Sequence, residues 1–89
     1  MKTVHLEISG KVQGVFFRAL AKEIAEPYKI SGWIRNTHHK KVEALITGED
    51  EDVLTFVEWC KKGPEKARVD HVSITETQLQ IFEGFEVIR

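Results

Sequence analysis

The sequence predicts an α+β sandwich in which two helices cover one face of an antiparallel β-sheet. An alternation of apolar and polar residues opens the chain and is typical of a half-buried strand. Two later segments repeat apolar residues at helical spacing, and strand-like segments follow each of them. The length of 89 residues allows one domain with one core, so we expect residues 1–89 to form a single domain.

The first strand and the first helix have clear patterns. Residues 3–9 alternate, with Val4, Leu6 and Ile8 on one face. A helix then follows and ends near Pro27. Its predicted apolar stripe is Phe17, Leu20, Ala21, Ile24, Ala25 and Tyr28.

The middle of the chain predicts a hairpin and a second helix. Strands are predicted at 30–36 and 41–47, and the four residues between them favour a hairpin. The acidic run 49–52 suits a helix N-terminus, and Gly63 followed by Pro64 suits its end. The predicted stripe of this helix is Val53, Phe56, Val57 and Cys60. Strands at 67–77 and 84–89 complete the chain.

This order of elements, βαββαβ with a final strand, is the split βαβ arrangement of ferredoxin-like sandwiches. In that topology the third strand lies between the first two, which run parallel and end at the same edge of the sheet. The loop 10–17 leaves the first of these ends, and Asn36 stands at the second. Two strand spacings are about 10 Å, so a bound phosphate and a long arginine side chain can bridge the gap.

The segment Gly10–Arg18 reads Gly-Lys-Val-Gln-Gly-Val-Phe-Phe-Arg and predicts an anion site. Its glycines allow several backbone N–H groups to face one point, beside the positive end of the helix dipole. Arg18 falls in the first helical turn, where a cation is disfavoured, and no acidic residue lies between Ser9 and Lys22. Because Arg18 opposes the helix dipole and has no acidic neighbour to neutralise it, we favour a functional role over that of a solvated surface residue.

Charge and composition bound the class of protein. The net charge of −1 gives no default affinity for nucleic acid. The segment 10–41 is nevertheless basic, with Glu23 and Glu26 opposed by Lys11, Arg18, Lys22, Lys29, Arg35, Lys40 and Lys41. The single cysteine excludes an internal disulfide and fits a reducing compartment. With no apolar run or signal sequence visible, we expect a cytoplasmic monomer with no membrane or nucleic-acid partner.

Four segments resemble one known family. Gly10–Arg18 resembles the first signature of the acylphosphatases, and Gly-Trp-Ile-Arg-Asn-Thr at 32–37, followed by Val42-Glu43, resembles the second. The pattern Gly-Pro-x-x-Ala-x-Val at 63–69 and the closing Phe-Glu-Val-Ile-Arg at 85–89 are also similar to the family. The resemblance covers nearly the whole chain in the right order.

The resemblance implies an enzyme that hydrolyses the carboxyl–phosphate bond of small acyl phosphates without metal or cofactor. It implies that Arg18 binds phosphate oxygens and that Asn36 positions the attacking water. The implied substrate-binding loop consists of Val12, Gln13, Gly14, Val15, Phe16 and Phe17. The hairpin differs from the family, because His39-Lys40 stands where Asp-Gly is common. Lysine adopts positive φ only at a cost, so we expect either another turn type or strain.

The chemistry is consistent with a site that has no general acid. The leaving carboxylate has a conjugate acid with a pKa of about 4 and departs without protonation. The loose transition state needs donors around the phosphoryl group, a cation and an oriented water, which the loop, Arg18 and Asn36 supply. A phosphate oxygen is then expected to accept the proton of the water.

Two other functions share features of this sequence. RNA-recognition domains share the strand order, but the third strand here, 41–47, has no aromatic residue for base stacking. A non-catalytic phosphate- or anion-binding regulatory module would keep the loop without turnover.

Other residues have simpler roles as alternatives to a functional one. Asn36 alone could be a turn residue. For His38 and His39 we favour exposed turn positions over metal binding. For Cys60 we favour an inert buried thiol over a reactive one. The tryptophans Trp33 and Trp59 are expected to serve packing rather than ligand stacking.

Overall fold

A five-stranded sheet with two α-helices makes up the computed structural model, which describes all of residues 1–89. The strands are β1 (Lys2–Lys11), β2 (Ser31–Asn36), β3 (Val42–Gly48), β4 (Arg68–Thr77) and β5 (Phe85–Ile88). The helices are α1 (Phe17–Ala25), which continues into a 3₁₀ turn (Glu26–Tyr28), and α2 (Asp50–Lys62). The predicted ferredoxin-like order of elements is confirmed.

The strand order β4-β1-β3-β2-β5 places the ends of β1 and β2 at one edge of the sheet. Both strands pair antiparallel with β3, which lies between them, so β1 and β2 are parallel to each other as predicted. The sheet is mixed rather than wholly antiparallel, because β5 pairs parallel with β2. The chain reverses after β4, which runs opposite to β1, and therefore enters β5 in the direction of β2.

The core lies between the sheet and the helices. Val4, Leu6 and Ile8 of β1 are buried, as the alternation predicts. Cys60 of α2 is also fully buried, and burial raises the pKa of its thiol, which favours the inert form. The prediction was wrong for Leu20 and Tyr28, which are 36% and 43% exposed. Helix α1 instead packs through Phe17, Ala21 and Ala25, and Tyr28 lies in the 3₁₀ turn.

Trp59 serves packing, as predicted, whereas Trp33 contacts an arginine. Trp59 meets the ring of Phe17 edge to face, with ring centroids 5.2 Å apart, and so joins α2 to the start of α1. Trp33 lies on the other side of the sheet, where the guanidinium of Arg35 is 5.4 Å from the ring centroid. The Phe17 contact matters most here, because it holds the first residue of α1 in the core.

The hairpin between β2 and β3 is closed by Thr37 and carries backbone strain. The N–H of Thr37 donates to the carbonyl of Lys41 at 2.9 Å. Its hydroxyl accepts hydrogen bonds from the N–H groups of His39 and Lys41, each at 3.2 Å. Lys40 has φ of 62°, the left-handed conformation that glycine adopts without cost. Of the two expected outcomes, strain at the lysine is the one observed.

Lys40→Gly is therefore expected to raise the free energy of unfolding by about 0.5–1 kcal/mol, because it removes the left-handed penalty of about 1–2 kcal/mol and adds the smaller entropic cost of glycine. Urea denaturation measures the change. Lys66→Gly is the matched control, since Lys66 is also exposed and is not at positive φ. The control is expected to lose stability, and a loss in both variants would contradict the strain at Lys40.

Candidate active site

A cavity of about 390 Å³ opens where the loop after β1 meets the end of β2. It is lined by Val12, Gly14, Phe16, Phe17, Arg18, Ala19, Asn36, Val87 and Arg89. The structure thus brings most of the predicted residues together. Gln13 and Val15 do not line the cavity, because Val15 is buried in the core and the side chain of Gln13 turns toward the hairpin.

The loop backbone alternates in handedness before it enters α1. Gly14 has φ of 74° and Phe16 has φ of 63°, while Val15 between them is not at positive φ. Alternation of this kind turns successive N–H groups to one side and forms a concave anion-binding nest. Phe16 is a bulky residue in the left-handed region and its side chain is 75% exposed. Strain of this size persists where the surrounding structure enforces it and is common at functional sites.

The N–H groups of this loop are not used by the fold. None of the eight backbone hydrogen bonds outside the helices and strands is donated by residues 13–17. Helix α1 begins at Phe17, has no side-chain cap and has no acidic residue in its first turn. The first N–H groups of a helix have no intrahelical partner, so the loop and the helix start together present free donors and a positive potential to an anion.

Arg18 is held against the neighbouring strand. Its Nη1 donates a hydrogen bond to the carbonyl of Ile88 in β5 at 3.1 Å. It forms no salt bridge, which agrees with the missing counter-charge in the sequence. A guanidinium has five N–H donors, so the contact with β5 orients Arg18 and leaves donors for a second, anionic partner.

Asn36 is the last residue of β2 and lies opposite Val42 of β3. Its position within a paired strand argues against a turn role. The side chain is partly buried, lines the cavity and makes no hydrogen bond within the protein. A side-chain amide with free donor and acceptor groups beside an anion nest is suited to orienting a water molecule.

Three lining residues were not predicted, namely Ala19, Val87 and Arg89. Ala19 follows Arg18 in the helix and gives no chemical signal. Val87 reaches the cavity because β5 lies beside β2, a pairing that the order of elements did not indicate. The positive charge of Arg89 was a usable signal, but its place depends on that same pairing.

His38 and His39 are exposed in the hairpin turn, as predicted. No three His, Cys, Asp or Glu side chains lie close enough together to hold a metal ion. Neither helix reaches the length and apolar character that a membrane crossing needs.

Comparison with known proteins addresses the family directly. The family model described as acylphosphatase matches residues 4–87. The chain is 45% identical over 86 residues to an acylphosphatase of Thiobacillus denitrificans, with 97% of this chain and 96% of the relative covered. The chain belongs to the acylphosphatase family.

Solved acylphosphatases have the same architecture. The acylphosphatase of Bacillus subtilis superimposes with a TM-score of 0.95 at 31% identity, and all of both chains is covered. That of Coxiella burnetii gives a TM-score of 0.93 at 36% identity, covering 98% of this chain and 92% of the other. The activity is therefore acylphosphatase activity, the hydrolysis of acyl phosphates. Matches along the full length favour this enzyme over an RNA-binding domain or a regulatory anion-binding module.

Proposed function

We propose that this acylphosphatase acts by direct attack of water on phosphorus, with Arg18 and Asn36 as its catalytic residues. The observation that carries the proposal is that both side chains and the alternating loop line one cavity, although Asn36 is distant from the loop in sequence. The substrate is a small acyl phosphate whose phosphoryl group occupies the nest.

The phosphoryl group is bound by backbone donors and one cation. The N–H groups of the loop Val12–Phe17 surround its oxygens, and Arg18 supplies a guanidinium already oriented by the carbonyl of Ile88. These groups stabilise the negative charge that spreads over the equatorial oxygens in a loose transition state. The side-chain oxygen of Asn36 accepts a hydrogen bond from the attacking water and directs its lone pair at phosphorus.

The reaction needs no side chain that exchanges protons. A new bond forms between the water oxygen and phosphorus, and the bond from phosphorus to the carboxyl oxygen breaks. The carboxylate leaves with the electron pair, and a phosphate oxygen takes a proton from the water. The residues that line the cavity include no Asp, Glu, His or Cys. This composition suits a leaving group whose conjugate acid has a pKa of about 4, as a carboxylic acid has, and would suit an alkoxide badly.

We further propose that residues 1–89 act as one catalytic domain, as a monomer in the cytoplasm, without metal, cofactor, nucleic acid or membrane partner. The single core and the family match over residues 4–87 support one domain. The buried free thiol of Cys60 supports a reducing compartment.

Asn36→Ala is expected to lower kcat for benzoyl phosphate about 100-fold, because the water loses its orientation. The inhibition constant Ki of inorganic phosphate is expected to change less than about threefold, because the nest is intact. Steady-state hydrolysis with phosphate inhibition measures both. Gln78→Ala is the control, since it truncates an exposed amide that does not line the cavity. Normal turnover by Asn36→Ala would remove this residue from the mechanism.

A further inference from the structure

We infer that the side chain of Gln13 is a positioning residue that holds Asn36 at a working distance from the phosphate nest. The inference rests on the proposed function and adds a residue whose side chain does not line the cavity. In the proposed mechanism the backbone N–H of Gln13 serves the substrate, whereas its side-chain amide serves the hairpin.

The geometry consists of one amide group that donates two hydrogen bonds. Gln13 Nε2 donates to the carbonyl of Thr37 at 3.1 Å and to the carbonyl of Lys41 at 2.9 Å. Thr37 directly follows Asn36, and Lys41 directly precedes Val42, the register partner of Asn36. The side chain of Gln13 therefore bonds to the residue that follows β2 and to the residue that precedes β3, next to Asn36 and its register partner.

No other side-chain hydrogen bond joins the phosphate loop to this hairpin. The hydroxyl of Thr37 accepts only from within the turn, and Arg18 bonds to β5 on the other side. Asn36 makes no side-chain contact of this kind itself, so its position follows that of the hairpin backbone. The adjoining turn contains the strained residue Lys40. Gln13 thus supplies the direct polar link between the two parts of the site.

A link of this kind acts on turnover more than on phosphate binding. Val15 and Phe17 anchor the loop in the core, so the nest is expected to keep its shape when the hairpin shifts, whereas the water moves with Asn36. Displacement of a reacting group by about 1 Å can cost up to about 100-fold in rate. Loss of the clamp is expected to allow a partial shift, with a smaller decrease in kcat.

Gln13→Met tests the clamp, because methionine has a similar length and no donor. We expect kcat for benzoyl phosphate to decrease roughly tenfold and the Ki of inorganic phosphate to stay within about twofold. Gln13→Glu, which keeps the shape but places a carboxylate oxygen against the carbonyls, is also expected to lower kcat, and its negative charge in the loop is expected to raise the Ki of phosphate. Gln78→Met controls for the substitution itself at an exposed site.

The double variant separates positioning from general damage to the fold. Because Gln13 acts through Asn36, adding Gln13→Met to Asn36→Ala is expected to change kcat by less than about twofold. Independent structural damage would instead multiply the two losses. A multiplicative loss, or wild-type kcat in both Gln13 variants beside a slow Asn36→Ala enzyme, would overturn the inference alone. Wild-type kcat in Asn36→Ala would overturn both the inference and the proposed function.

Discussion

Arg18→Ala is expected to lower kcat for benzoyl phosphate by about 10³- to 10⁵-fold, the range found for arginines that stabilise phosphoryl transfer. The substitution removes the oriented guanidinium of the nest, and Arg89, the other cation that lines the cavity, lies outside the loop and the first turn of α1. The Ki of inorganic phosphate is expected to rise as well, because in the proposed mechanism Arg18 contacts phosphate oxygens in the bound state and in the transition state. Hydrolysis rates and product inhibition measure the two effects.

Arg18→Lys distinguishes charge from geometry. Lysine keeps a positive charge but has no planar fork, so it cannot hold the carbonyl of Ile88 and two phosphate oxygens in the same arrangement. We expect it to remain at least about 100-fold slower than wild type. Arg68→Ala is the control, because Arg68 is exposed and pairs only with Asp70. Near-normal turnover in Arg18→Ala would contradict the assignment of the site.

Arg18→Ala is expected to leave the fold intact. A cation in the first turn of a helix opposes the macrodipole, so its removal costs little and can stabilise the helix. The contact with Ile88 is one hydrogen bond at a partly buried position. Its loss costs about 1 kcal/mol and offsets a gain of similar size from the removal of the cation. Loss of activity without loss of stability is the combination that marks Arg18 as functional.

The fold and the meeting of Arg18 with Asn36 could be predicted from the sequence because both depend on regular patterns. Alternation and helical spacing reveal the elements, and their order determines which strand ends share an edge. The sequence alone also shows that Arg18 is a cation in the first turn of a helix, where the dipole disfavours it. The pairing of β5 with β2 could not be inferred in the same way, because a four-residue strand after a long connection has no pattern that names its neighbour.

The backbone conformation of Phe16 and the side-chain contacts of Gln13 also could not be predicted from the sequence. Phenylalanine at Phe16 gives no signal for a left-handed backbone, and only the surrounding packing enforces it. The contacts of Gln13 depend on the depth at which the hairpin lies beside the loop, which is a tertiary property. Local patterns therefore identify the residues at the shared edge, whereas the three-dimensional structure distinguishes those that face the cavity from those that support it.

Gly10→Ala is expected to destabilise the protein by about 3 kcal/mol or more, because it combines an unfavourable backbone conformation with a steric clash. Gly10 has φ of 125° and lies at a register shift between β1 and β4. A Cβ atom there would stand 2.1 Å from the carbonyl oxygen of Arg68 and 2.8 Å from the N–H nitrogen of Asp70. Both are backbone atoms, so relief requires β1 and β4 to separate just before the phosphate loop.

Gly84→Ala is the matched control for this prediction. Gly84 has φ of 70°, yet a Cβ atom there would meet nothing within 4 Å, so only the left-handed cost of about 1–2 kcal/mol applies. Urea unfolding of both variants isolates the clash as the difference between them, and equal losses would contradict it. Gly10→Ala is also expected to weaken phosphate binding in the folded fraction, whereas Gly84→Ala is not. Only Gly10 lies two residues before Val12, where the wall of the cavity begins.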